Sequence, residues 1–148
     1  MSVVKMAEQI KKIHPDFIVL YKIGIFYHAY GKDSYIISSK FNYTIKQNNN
    51  INDCGFSNNV INKVKSKLED NKINYMLVDP RNNYDVDEKQ DFGNLNNYEK
   101  EFKKSYLIIK RRKEIEKINE RLNYLIEKEE FKNIIRKIED VLDENGEI

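Results

Sequence analysis

The sequence has 148 residues, which is enough for a domain of about 90–100 residues followed by a helical appendage. Its 26 Lys and Arg residues nearly balance 24 Asp and Glu residues, so the net charge of +2 does not by itself indicate a nucleic-acid partner. Any binding to nucleic acid must therefore depend on local basic patches.

Few residues in the chain are suited to redox or metal chemistry. Cys54 is the only cysteine and cannot form an intrachain disulfide, and His14 and His28 are the only histidines. We therefore expect no metal, no cofactor and a reducing, cytoplasmic environment. The apolar run at residues 17–30 is interrupted by Lys22 and is too short to span a bilayer, so we expect neither a signal peptide nor a membrane partner.

Hydrophobic periodicity predicts alternating helices and strands in the first half of the chain. A helix ends before Pro15, and a buried strand is followed by a bend at Gly24 and a second strand segment. The predicted helices are residues 5–13, 34–41 and 60–68, and the predicted strands are residues 17–21, 25–30, 43–46, 51–56 and 73–78. The sequence thus predicts an α/β fold with a small mixed sheet in residues 1–80.

Composition changes after Pro80. Residues 81–97 are rich in Asn, Asp, Gly and Gln, and we interpret them as a polar linker or loop. Residues 98–148 have apolar side chains at intervals of three and four, which predicts a C-terminal helical module. The apolar stripes change register at residues 127–130, so we expect two helices, with an antiparallel pair as one arrangement.

A motif near the N-terminus carries a family resemblance. Residues 14–30, HPDFIVLYKIGIFYHAY, are followed by Asp33-Ser34, and a second island comprises Cys54-Gly55-Phe56 with the helix and strand after it. In order and spacing these segments resemble the N-terminal mismatch-recognition domain of the MutS family, which has a proline-acid pair, an apolar strand, Gly-Asp-Phe-Tyr-Glu and an Asp-Ala pair. The resemblance covers roughly residues 6–79.

The resemblance implies roles for two residues. In the family, the Phe of this motif is wedged into the duplex at a mispair and the Glu hydrogen-bonds the displaced base, a strategy that costs least where the duplex is already weakened. Phe26 keeps the wedge position, whereas His28 stands in place of the Glu. Ile25 replaces the Asp, and Ser57 replaces a Pro after the Gly-containing turn. These departures predict reduced or altered mismatch selectivity.

The remainder of a full MutS protein is not found in these residues. The five glycines form no Gly-x-x-x-x-Gly-Lys-Ser/Thr loop, and we expect no connector, lever, clamp or ATPase region in this protein. We therefore expect a free-standing, non-catalytic protein that binds nucleic acid, with duplex DNA as the expected partner and RNA left open.

Each candidate binding residue also has a structural interpretation. Phe26 is either a ligand-facing wedge or a core aromatic, and His28 either contacts a phosphate or base edge as a donor or is an exposed or hydrogen-bonded histidine without such a role. The basic run of Lys110, Arg111 and Arg112 either follows a phosphate backbone or forms a solvated helix face. The full candidate set is Phe26, His28, Lys22, Tyr27, Lys46, Lys110, Arg111 and Arg112.

The C-terminal stripes suggest an alternative function. A two-helix hairpin buries only part of an apolar stripe, so these helices pack either on the α/β domain or on another chain. In the second case the protein is a protein-interaction adaptor that binds a helical partner or forms a homo-oligomer, and the MutS-like domain is its scaffold.

Overall fold

A computed structural model of the chain describes residues 2–93 and 97–146. The chain divides into two compact units, residues 1–109 and 110–148, and the long helix α4 is shared between them. The first unit contains a six-stranded sheet, and the second is helical.

Helices alternate with pairs of strands in the first unit, as expected for an α/β fold. The helices are α1 (Val3–Ile13), α2 (Lys32–Phe41), α3 (Ile61–Asp70), α4 (Asn97–Tyr124) and α5 (Phe131–Asn145). The strands are β1 (Ile18–Ile23), β2 (Phe26–Tyr30), β3 (Ile45–Asn48), β4 (Ile51–Ser57), β5 (Tyr75–Asp79) and β6 (Asp85–Gln90). Short 3-10 turns at Asn58–Val60 and Pro80–Asn82 follow β4 and β5.

The sheet is mixed, with strand order β3-β4-β2-β1-β5-β6. β1 and β5 are parallel, and all other neighbouring strands are antiparallel. Gly24 has φ of +63° and lies with Ile25 between β1 and β2, so the bend expected there is a tight hairpin turn. Asn49 and Asn50 both have positive φ and form the turn between β3 and β4.

Each face of the sheet has its own hydrophobic core. Helices α2 and α3 cover the face that carries Leu20, Tyr27 and Leu77, whereas α1 covers the opposite face, which carries Tyr21 and Val78. Because side chains alternate along a strand, neighbouring residues of β1 and β2 belong to different cores. This alternation decides which candidate residues share a surface.

Strand β6 lies within the segment that was expected to be a polar loop. Its residues pair with β5 through a register shift at Leu77 and Val78, and five of its six residues are exposed. An edge strand can be this polar because backbone hydrogen bonds to β5 hold it and only one of its edges is paired. Apolar patterning therefore does not reveal it.

The first half of α4 packs on the first unit. Tyr98 lies in the core, with Phe102 packed against that core. The buried Asp33 carboxylate accepts hydrogen bonds from the Tyr98 hydroxyl and, at 3.0 Å, from the Val19 N–H. Lys11 Nζ completes this cluster with an ion pair to Asp33 at 2.7 Å.

The second unit contains the rest of α4 and all of α5. The helices are separate, and α4 ends at Tyr124 while α5 begins at Phe131, which confirms the predicted break. None of the described residues from 110 to 146 is buried. Among the described residues, no helix is both long and apolar enough to serve as a membrane span.

Candidate nucleic-acid interface

Phe26 lies at the start of β2, directly after the hairpin turn. It pairs with Ile23 on β1 and Ser57 on β4, and 46% of its surface is exposed. A large aromatic side chain is normally drawn into the core, and the neighbouring Tyr27 is indeed 92% buried, with 8% exposed. The turn at Gly24 thus presents an aromatic ring at the end of the sheet.

His28 lies two residues further on the same face of the sheet. Its Nδ1 is 2.8 Å from Oδ1 of Asp53 on β4, and its ring is 6.5 Å from that of Phe26. A Cβ at Gly55, directly across from His28, would come within 3.0 Å of the imidazole. The glycine therefore provides the space in which the His28 ring lies across β4.

The contact with Asp53 determines which nitrogen of the imidazole donates a hydrogen bond. A carboxylate only accepts hydrogen bonds, so Nδ1 of His28 carries the proton and donates to Asp53. In the neutral ring, Nε2 is then an acceptor, and after protonation it becomes a donor. The second oxygen of Asp53 accepts from the Asn48 amide at 3.2 Å, which holds the carboxylate in place.

Phe26 and His28 line an open cleft of about 670 Å³. Strand β3 pairs with β4 only from Ile51 to Cys54, so the end of β4 from Gly55 to Ser57 has no strand on its outer side. This incomplete edge leaves the cleft open. Its other lining residues are Asn42, Tyr43, Thr44, Lys46, Asp53, Phe56 and Val60.

The cleft combines aromatic surface with one cation. The rings of Tyr43 and Phe56 stack at 5.7 Å with an interplanar angle of 25°, and Lys46 is exposed on β3 opposite Asp53. Tyr43 also stacks on Phe41, and the buried Phe56 also stacks on Tyr27, so both rings already have aromatic partners. The exposed ring of Phe26 is therefore the aromatic surface that the cleft offers to a base, and Lys46 can neutralise a phosphate.

The structure brings together only some of the predicted site residues. Phe26, His28 and Lys46 line the same cleft. Lys22 is exposed, but it pairs with Tyr27, and strand alternation places both on the opposite face of the sheet from Phe26. Tyr27 is part of the core.

The basic run lies in the second unit. Lys110 and Arg111 are exposed on α4, and Arg112 is half-buried there. These three residues are not among those that line the cleft at Phe26.

Several residues of the cleft were missed at the sequence level. Asp53, Tyr43 and Gly55 become part of the site only because β3, β4 and β2 pair in one register. The pair Asn49-Asn50 was the available signal, since a two-residue hairpin turn at this position fixes which residues of β3 and β4 face each other. That register would have placed Asp53 opposite Lys46, whereas its position beside His28 depends on the long-range pairing of β4 with β2.

The thiol of Cys54 lies outside this chemistry. Cys54 is fully buried on β4, and burial raises its pKa to about 12, so it remains a protonated core thiol. Within residues 2–93 and 97–146, no group of three or more His, Cys, Asp or Glu side chains is placed to hold a metal ion.

The fold and the cleft define a mixed α/β recognition module with an aromatic residue exposed at one end of its sheet. The family model for MutS domain I matches residues 2–88, more than half of the chain, and the protein belongs to that family. At the family level it is a MutS-type mismatch-recognition domain, as the motif resemblance indicated. A search of curated proteins found no match.

Proposed function

We propose that this protein is a non-catalytic nucleic-acid-binding protein that contacts weakened duplex DNA through the cleft at Phe26. The observation that carries the proposal is the 46% exposure of Phe26 beside an open cleft, at the position where the family has its wedge residue. Inserting an aromatic ring between base pairs costs least at mispairs and bulges, so these are the favoured substrates.

His28 has a defined part in this proposal. With Nδ1 bound to Asp53, the imidazole has Nε2 left for a base, and this nitrogen takes the place of the family's Glu. A single nitrogen offers fewer acceptor sites than a carboxylate and carries no negative charge. We therefore expect discrimination among mispairs to be weak.

Phosphate contacts supply most of the affinity. Lys46 lines the cleft, so binding should weaken as salt concentration rises. The sequence has no phosphate loop, so we expect no ATP binding or hydrolysis to accompany this binding.

The test is fluorescence anisotropy with matched duplex DNA, mismatched duplex DNA, single-stranded DNA and RNA at two salt concentrations. We expect Phe26→Ala to weaken binding to mismatched duplex by about tenfold, since a base–aromatic contact of this kind contributes about 1–3 kcal/mol. Lys46→Ala should weaken the binding of all four ligands equally. It should also reduce the salt dependence of binding by about one phosphate contact.

Val86→Ala is the matched control. Val86 is 47% exposed, about as much as Phe26, but lies on β6, the edge strand farthest from the cleft beside β3 and β4. Its loss should leave affinity unchanged. If Phe26→Ala binds as tightly as the parent protein, or if the two variants lose affinity equally, the proposed interface is wrong.

His28→Glu tests the proposed readout separately. Because the change restores the family's carboxylate, it should increase the ratio of mismatched to matched affinity while Asp53→Asn alone should not. An unchanged ratio would mean that this cleft no longer reads mispairs. A strong, salt-insensitive preference for one mispair in the parent protein would also contradict the proposal.

The second candidate function is that of an adaptor that acts through its C-terminal helices. The observation in its favour is that the second unit buries none of its described residues, while Ile115, Ile118, Val141 and Leu142 are 47–60% exposed. Apolar surface of this extent is stabilised by a second copy of the chain or by a helical partner.

Analytical ultracentrifugation distinguishes the two candidates. If the adaptor function holds through self-association, the protein should be dimeric or larger, and the double change Ile115→Ser/Ile118→Ser should make it monomeric. Lys117→Ser, on the same helix, is the control. A monomeric parent protein that binds nucleic acid would exclude the self-associating form of the adaptor function.

A further inference from the structure

A second cavity, of about 360 Å³, lies between α1 and the sheet. Its walls include Ala7 from α1, Tyr21 from β1, Tyr30 from β2 and Ile51 from β4, and all four belong to the core on that face or pack against it. The volume is in the range of small-molecule sites, which are about 300–1,000 Å³. None of its lining residues lines the Phe26 cleft.

One wall residue has an unused polar group. Tyr21 is 2% exposed, and its hydroxyl is the only buried side-chain polar atom of the described residues that has no hydrogen-bond partner. Buried hydroxyls are almost always paired, so an unpaired one next to a cavity indicates a missing partner. Burial and the nearby Asp33 charge raise the pKa of this phenol, which keeps it protonated and able to donate.

The charged residues around the cavity favour an anion. Lys12 and Lys32 are exposed and line it, whereas the third lysine, Lys11, is already bound to Asp33 and to the Phe17 carbonyl. Glu8 is the one further acid in the lining. Lys32 is 3.6 Å from Glu99 in a pair that is half exposed, so it remains accessible to another anion.

We propose that this cavity binds a small aromatic anion whose planar ring system lies among Ala7, Tyr21, Tyr30 and Ile51. The ring carries an acceptor for the Tyr21 hydroxyl, and a carboxylate or phosphate group contacts Lys12 and Lys32. The site is separate from the nucleic-acid interface and does not depend on the function proposed there.

Isothermal titration calorimetry with two probes tests the site on the full-length protein. Indole-3-acetate represents an aromatic carboxylate, and thymidine 5′-monophosphate represents a nucleotide. We expect saturable one-to-one binding of at least one probe, and the probe that binds identifies the source of the anion. Tyr21→Phe should weaken that binding by about threefold to tenfold, the usual value of one hydrogen bond.

Three further variants separate the site from general effects. Ala7→Leu should abolish binding because it fills the cavity, and Lys12→Ala should weaken binding more than Lys5→Ala, a change on the same helix outside the cavity lining. Phe26→Ala should leave binding unchanged. Thermal midpoints without probe check folding, and Tyr21→Phe should be at least as stable as the parent because it removes an unpaired hydroxyl.

The proposal is overturned if neither probe binds saturably, because the cavity would then hold only water. It is also overturned if Ala7→Leu and Tyr21→Phe fold normally and bind like the parent protein. Loss of probe binding in Phe26→Ala would place the anion in the other cleft and would equally contradict it.

Discussion

At the residue scale, the cleft depends on a fit between a glycine and a histidine. Gly55 does not need positive φ; its importance lies in the 3.0 Å that would separate a Cβ from Cε1 of His28. The imidazole lies over this glycine while Nδ1 is bound to Asp53. Any larger residue at position 55 must displace the ring.

Gly55→Ala should therefore displace the His28 ring, although the change adds only one methyl group. We expect a loss of about 1 kcal/mol in the free energy of unfolding from overpacking, together with a shift of the His28 ring resonances as its contact with Asp53 weakens. Urea unfolding and histidine NMR spectra measure the two effects.

A double-mutant cycle provides the control for this change. In a His28→Ala background the ring is absent, so adding Gly55→Ala should hardly change the free energy of unfolding. If the cost is the same with and without the imidazole, the steric explanation is wrong.

At the element scale, one carboxylate links four parts of the first unit. Asp33, at the start of α2, is bound by Lys11 from α1, the Val19 N–H from β1 and the Tyr98 hydroxyl from α4. Its side chain is only 4% exposed, so these partners together stabilise the charge in a place with little water.

Removing the Asp33 carboxylate should lower the free energy of unfolding more than removing one of the groups that donate hydrogen bonds to it. Asp33→Ala leaves the Val19 N–H without its acceptor and Lys11 without its carboxylate, and should lower the free energy of unfolding by about 3–5 kcal/mol. Tyr98→Phe keeps the ring in the core and removes one hydrogen bond to a charged group, so the loss should be about 1.5–3 kcal/mol. Urea unfolding at neutral pH compares the two, and a larger loss in Tyr98→Phe would contradict this hierarchy.

At the scale of the whole molecule, the buried tyrosines predict an alkaline limit to stability. Burial raises the pKa of Tyr21, Tyr30, Tyr75 and Tyr98 above the ordinary value of 10.0, to about 12 for Tyr30, with nearby carboxylates adding to the effect. The unfolded chain therefore loses these protons first. Stability should be unaffected below about pH 9 and should fall as pH rises through 10.

Urea unfolding between about pH 8 and pH 11 measures this fall. Tyr98→Phe removes one of the groups, so its curve should be less steep than that of the parent above pH 10, where each group contributes up to about 1.4 kcal/mol per pH unit. A stability that rises or stays constant across this range would show that the tyrosines do not control it.

The division into two units predicts where the chain can be shortened. The first half of α4 contributes Tyr98, Glu101, Ser105 and Ile109 to the buried residues, whereas none of the described residues from 110 to 146 is buried. A protein that ends at Ile109 should therefore remain folded with nearly the same thermal midpoint.

A protein that ends at Gly93 should lose stability and aggregate, since it lacks Tyr98 and Ile109, each worth about 1.5–3 kcal/mol when fully buried. Circular dichroism and light scattering compare the two truncations. A fully stable, soluble chain of 93 residues would show that α4 contributes nothing to the core.

Much of the fold was predictable because apolar periodicity reports burial directly. The first five strands and the first three helices were all predicted as elements, and the break between α4 and α5 followed from the change of register in their stripes. β6 was not predictable in this way, because an exposed edge strand is held by backbone hydrogen bonds that leave no apolar pattern.

The sequence by itself determined the family, the α/β class and the positions of Phe26 and His28, since these follow from local motifs and periodicity. Only the tertiary structure decided which residues share a surface. Strand register brings Lys46 and Asp53 to Phe26 and His28, places Lys22 on the other face, and encloses the cavity beside Tyr21. The physical reason is that successive side chains of a strand lie on opposite faces of the sheet. The register between two strands therefore decides which residues are adjacent and which face they share, and no local pattern encodes the register between strands that are distant in sequence.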